Sequence, residues 1–262
     1  MKILEKLKYK GIEIIVDFMD KFDMEHFVEG SFFVNPDEIS KMIFFVDDLI
    51  SKEKEAENKI AILNYSIDLL KNDIKYFNSL KFIKIASKSK YFDKDFYSEK
   101  DRGYYPQKVS IPITYYLEDG TKVNLFDSTS KTYEEGFKLD ASKECIISEP
   151  HDISKLIDNV KKIYTQGFIS ERNKAQIMHY KYLDIFEVID DGNHSVSIAQ
   201  IKDEGSFKVK WSIDTSELFP HIDIVGNSWI NTHTKKSISE IKDHRIGLIY
   251  KFAKMKWEIE NK

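Results

Sequence analysis

Apolar residues recur at helical spacing over the first third of the chain. Ile3, Leu4, Leu7, Ile14, Ile15, Phe18 and Phe22 trace one such stripe, interrupted near Gly11. Asn35-Pro36-Asp37-Glu38 predicts the start of another helix. Asn35 can cap, Pro36 suits the first helical position, and Glu38 can reach back as in a capping box. The helix that follows turns Ile39, Met42, Ile43, Val46 and Leu49 inward. A charged stretch, Ser51 to Lys59, separates it from Ile60, Leu63, Ile67, Leu70, Ile74 and Phe77, which repeat at i, i+3, i+4 and suggest a helical hairpin. Tyr91 to Tyr105 is polar and aromatic without a period, so a domain boundary is expected there: a helical region over 1–100, then an α/β domain over 101–262.

Beyond the boundary the period shortens. Val109 to Leu117 reads as a strand, at an edge because Pro112 cannot donate to a ladder. Asp119-Gly120 is a hairpin signal, and Lys122 to Phe126 is the return strand. Ser128 to Ser142 reads as loop, and Cys145-Ile146-Ile147 as a short strand. Asp152 can cap a helix carrying Ile153, Leu156, Ile157, Val160 and Ile163, ending by Gly167. Tyr182 to Ile189 is aromatic and β-branched, a strand pattern; His194 to Glu204 is a short helix stopped by Gly205; Phe207 to Ile213 is the next strand. Ser237-Ile238-Ser239-Glu240 has the capping-box pattern and predicts a helix through Ile241, continued by Ile246 to Ile259. The expected class is α+β: an N-terminal helical region, a small mixed sheet and a C-terminal helical tail.

Composition narrows the function classes. The aromatic content, with 18 Phe, 14 Tyr and 3 Trp, fits a folded chain rather than a disordered one. No run of 18 apolar residues occurs, so no membrane helix is expected, and the charged N-terminus does not read as a secretory signal. Cys145 is the sole cysteine, which excludes an internal disulfide and a multi-cysteine zinc site and fits a cytoplasmic location. A net charge of −4 argues against a non-specific DNA binder, although lysine-rich segments leave nucleic acid open. Arginine is confined to Arg102, Arg172 and Arg245. The histidines make no metal-binding pair of the His-Glu-x-x-His kind, and His244-Arg245 reads as a solvated helix face.

The chemistry concentrates at Asp190-Asp191-Gly192-Asn193-His194-Ser195, where a strand meets a helix through a glycine turn. Helix amino ends attract anions, phosphate above all. Gly192 permits the tight turn, and Asn193, His194 and Ser195 offer an amide, an imidazole and a hydroxyl to phosphate oxygens. His194 is a candidate general acid or base, with Asp191 to orient it, and Asp190 and Asp191 are candidates to hold Mg2+. The same residues also make an ordinary turn and cap.

The stretch Phe186 to Gln200 resembles the phosphate-binding motif of the ParB/sulfiredoxin-like superfamily, a strand ending in Asp-Gly, a short polar pair and a helix. The helix expected over Asp152 to Tyr164, with Gly167 after it, and the strand from Phe207 to Ile213 resemble that family's neighbouring elements. The resemblance implies a nucleotide- or phosphate-binding protein, with hydrolysis of a nucleotide or cutting of nucleic acid as the activities open to it. Ser195 stands where the family usually has arginine, so Arg172 or a nearby lysine would have to supply the charge. Asn193 stands where sulfiredoxins need cysteine, which removes that chemistry, and no basic reader-helix pair follows Asp214. The alternatives are an inactive binding or regulatory module, with the N-terminal helices docking a partner or a second copy, and a DNA-binding protein of a mobile element or phage-defence locus.

Overall fold

The computed structural model describes residues 36–88, 109–127, 131–134, 137–148, 159, 162, 166 and 174–262. The stripe expected over Met1 to Phe22, the connector from Tyr91 to Tyr105, Gly167, Arg172 and nearly all of the helix expected from Asp152 lie outside them. Helix α1 spans Pro36–Ser51 and α2 spans Ala56–Lys88, with Pro36 at the predicted first position. Ile39, Val46, Leu63, Ile67, Leu70 and Ile74 are buried, as the helical spacing requires. Residues 35–262 form one compact unit, so this helical pair shares a unit with the sheets that follow it.

Strands β1 (Thr114–Tyr116) and β2 (Lys122–Asn124) form the predicted hairpin, pairing Tyr116 with Lys122 around Gly120 at φ +85°. The strand is shorter than the apolar pattern suggested and begins only after Pro112. Strands β3 (Lys131–Tyr133) and β4 (Lys138–Asp140) fall in the stretch expected to be loop. Each is three residues long and mostly polar, and each takes its ladder from one long partner, β8 (Ser206–Asp214). β5 (Ile146–Ile147), β6 (Ile177–Lys181) and β7 (Ile185–Val188) complete a mixed sheet in the order β3-β8-β6-β7-β5. β6 and β7 make an antiparallel hairpin whose turn uses Tyr182 and Asp184 at positive φ, so the predicted strand starts three residues later than its aromatic pattern suggested.

Helix α3 (Asn193–Ile201) lies between β7 and β8, and Gly205 at φ +112° leads into β8. Val196 and Ala199 pack with Ile146, Ile177, Phe186, Val188, Phe207 and Val209 in one apolar cluster. Cys145 is buried, and burial pushes its thiol up to about 12.

After a 3-10 turn at Thr215–Leu218, strands β9 (Ile222–Val225), β10 (Ser228–Asn231) and β11 (Ser237–Glu240) make an antiparallel sheet. β11 corrects the helix expected to open at Ser237. Ser239 pairs with Trp229 and Ser228 with Glu240, so these residues serve a ladder rather than a cap. The last helix, α4 (His244–Glu260), is capped by Asp243, whose carboxylate accepts the Arg245 N–H at 2.9 Å. It is no tail. Ile246, Leu248, Ile249, Tyr250, Phe252 and Ala253 are fully buried, because α4 packs against α1, α2 and β9.

His244-Arg245 is likewise no solvated face. Arg245 is 2% exposed and donates to Asp243 at 2.7 Å and to Asp73 of α2 at 3.0 Å. A buried guanidinium persists only when its charge and donors are satisfied, and these two carboxylates satisfy them. Burial pushes the Asp243 carboxyl up, and the Arg245 charge beside it more than reverses this.

Candidate functional site

The turn between β7 and α3 is built around a close backbone approach. Gly192 sits at φ +102°, a conformation that glycine adopts without strain. A Cβ at this position would lie 2.5 Å from the Ala175 Cβ and 2.7 Å from its Cα. Both features demand glycine. The residue after Ala175 extends the contact: the Gln176 carbonyl accepts the Ile189 N–H at 2.9 Å, and its side-chain amide donates to Asp190 at 2.9 Å. The turn is thereby fastened to the segment that enters β6.

Most of the expected turn residues bond inward. The Asp191 carboxylate accepts the Gly192 N–H at 2.9 Å, and the Asn193 side chain donates to the Asp190 carbonyl at 3.1 Å. His194 is buried, 8% exposed, so its imidazole does not stand at an open mouth as expected. Ser195 is half-buried, and Asp190 and Asp191 are exposed. The N-cap position of α3 is Gly192, which has no side chain to cap it, and among the described residues no group of three or more His, Cys, Asp or Glu is arranged to hold a metal ion. Asp190 and Asp191 remain a pair of carboxylates, a number that suffices for Mg2+ when phosphate and water complete its shell.

Sequence reasoning left one cation unnamed. Opposite Ile177 and Met178, β8 contributes Val209 and Trp211, so Lys210 is the extra residue of a β-bulge. A bulge re-aims its side chain, and the Lys210 ammonium donates to the Gln176 amide oxygen at 2.7 Å. A chain of hydrogen bonds therefore runs from Lys210 through Gln176 to Asp190. Within α3, Ser197 shares a hydrogen bond with Ser148 at 2.7 Å.

A family model described as a family of unknown function, DUF6710, matches residues 29–262. The chain belongs to the DUF6710 family. No curated protein and no solved structure matches it. The DUF6710 match takes in both helices of the N-terminal pair, the mixed sheet, the Gly192 turn and α4, so the candidate site lies within the region that defines the family. Elsewhere on this DUF6710 chain, a shallow groove of about 480 Å³ lies at the β1–β2 hairpin, lined by Thr114, Lys122, Val123, Asn124 and Asp127, and no residue of the Gly192 turn is among these. Among the described residues, no helix is long and apolar enough to cross a membrane.

Proposed function

We propose that this chain binds a phosphorylated ligand, a nucleotide foremost, at the amino end of α3. The observation that carries the reading is the way α3 opens. Its first residue follows a glycine held left-handed against Ala175, and this N-cap glycine has no side chain with which to cap the helix. A helix amino end so built favours an anion through its dipole and backbone donors. The resemblance of Phe186 to Gln200 to the ParB/sulfiredoxin-like motif supports the same reading, as does the succession of hairpin, Asp-Gly turn, helix and strand.

Lys210 is the proposed source of the charge that Ser195 does not provide. Its described hydrogen bond is to a neutral amide, so its charge is left to act on a ligand at the turn. Asp190 and Asp191 are exposed beside the site and would repel a bare phosphate, which makes Mg2+ the expected companion of the ligand. With His194 buried, the reading is of a binding or regulatory module rather than an enzyme that uses this imidazole.

Thermal shift with ATP, CTP, GTP and UTP, with and without Mg2+, tests the proposal. A ligand that binds only the folded state raises its apparent stability. One nucleotide should raise the melting temperature of the wild type, and Lys210→Ala should lose that rise while keeping its ligand-free melting temperature. A rise in Ser195→Arg but not in the wild type would mark a site that has lost its affinity. No rise in either would reduce the motif to a structural turn. Nucleotide hydrolysis or nucleic-acid cutting that disappears in a folded His194→Ala variant would replace the module by an enzyme.

A further inference from the structure

A second site lies where the chain leaves the 3-10 turn. His221 Nδ1 and His233 Nε2 face each other at 2.9 Å, with ring centroids 5.2 Å apart and planes at 45°. The His221 ring and the backbone that carries His233 are held. His221 stacks on the buried Tyr115 ring at 4.8 Å and 16°, and its carbonyl accepts the Thr232 N–H at 3.0 Å. Asn231, 2% exposed, accepts the backbone N–H groups of His233 at 3.0 Å and Thr234 at 2.8 Å, and donates to the Tyr116 carbonyl at 3.3 Å. The β1–β2 hairpin, the start of β9 and the β10–β11 connection thus converge on the imidazole pair.

We propose that His221 and His233 together chelate one divalent transition ion of the kind that imidazole favours, Zn2+, Ni2+ or Cu2+. Two nitrogens about 2.0–2.1 Å from one ion lie about 2.9 Å apart at a right angle and about 3.4 Å apart at a tetrahedral one. The observed separation matches the first and needs a small ring movement for the second. In the ion-free pair one ring donates its N–H to the other. Chelation requires only that each ring carry its proton on its remaining nitrogen, so no net proton need leave the pair. Among the described residues no third His, Cys, Asp or Glu joins them, so water or an external donor fills the other positions.

The test is a ZnCl2 titration of the full chain with 15N-labelled imidazoles, read by NMR, beside His221→Gln and His233→Gln. One equivalent of Zn2+ should move the ring-nitrogen signals of two histidines together, and each substitution should abolish saturation at the remaining ring. His233 is exposed, so its variant keeps the fold and reads the site without ambiguity. No saturable shift in the wild type, or a shift that survives in His233→Gln, would overturn the proposal, the latter marking an adventitious ion only. Because the nucleotide site shares none of these residues, either proposal can fail without the other.

Discussion

At the scale of single residues, Gly192 is the most constrained position of the candidate site. Alanine there would need a left-handed backbone and would drive its Cβ into Ala175. The conformational cost is about 1–2 kcal/mol and the overlap adds about 1–3 kcal/mol. Gly192→Ala should therefore lose about 2–5 kcal/mol in urea denaturation, together with any nucleotide-dependent rise in melting temperature. An unchanged midpoint would mean that the turn can relax and that Ala175 does not fix it. Gly192 was legible because Asp-Gly before a helix has a local meaning. Ala175, Gln176 and Lys210 were not, since they reach the turn only through strand pairing, and the direction of Lys210 is set by a bulge that no local pattern announces. The burial of His194 was hidden for the same reason: it depends on what α3 packs against.

At the scale of elements, the long periodic segments were readable, and short strands were readable only where a local signal such as Asp119-Gly120 marked them. α1 began where Asn35-Pro36 indicated, and β8 and α3 fell where glycine and β-branched residues marked them. β6 was missed because its five residues mix Ile and Met with His179 and Lys181; His179 earns a sheet position by stacking on Phe186 at 4.4 Å. Ser237 to Glu240 fits a capping box and an edge strand equally well, and the partner Trp229 decided between them. The cap of α4 is Asp243, which also faces Arg245. Asp243→Ala would remove the cap and leave the buried guanidinium with Asp73 as its described carboxylate partner. A loss of about 3–5 kcal/mol is expected, with Asp243→Asn in between because an amide caps but does not neutralise. Equal losses in the two variants would assign the whole effect to charge.

At the scale of the molecule, stability should depend on pH through His244. Burial holds its imidazole down to about 4, from an ordinary value of 6.5. The folded chain resists a proton that the unfolded chain accepts. Stability therefore declines as pH falls from about 6.5 and levels off near 4 as far as this group is concerned, a loss on the order of 3 kcal/mol. Chemical denaturation at pH 7 and pH 4.5 measures it, and His244→Gln should flatten that part of the profile. A slope that persists in His244→Gln would give the effect to other groups. The α+β class could be read from the sequence because it follows from the order of periods. The assembly of α1, α2 and the sheets into one unit could not, because it rests on contacts between distant segments, α2 with α4 and α3 and Lys71 with Asp184 among them.

That central position of α4 has a consequence during synthesis. Pro36 and His244 open α1 and α4, about 200 residues apart. A ribosome adding about 5–20 residues per second needs about 10–40 s to cover that distance. For that interval the nascent α1 and α2 have no α4 to pack against, and the Asp73 carboxylate awaits its guanidinium. The face of the helix pair that α4 covers stays open for this time, a stage at which chaperones would hold it and at which two unfinished chains would stick together.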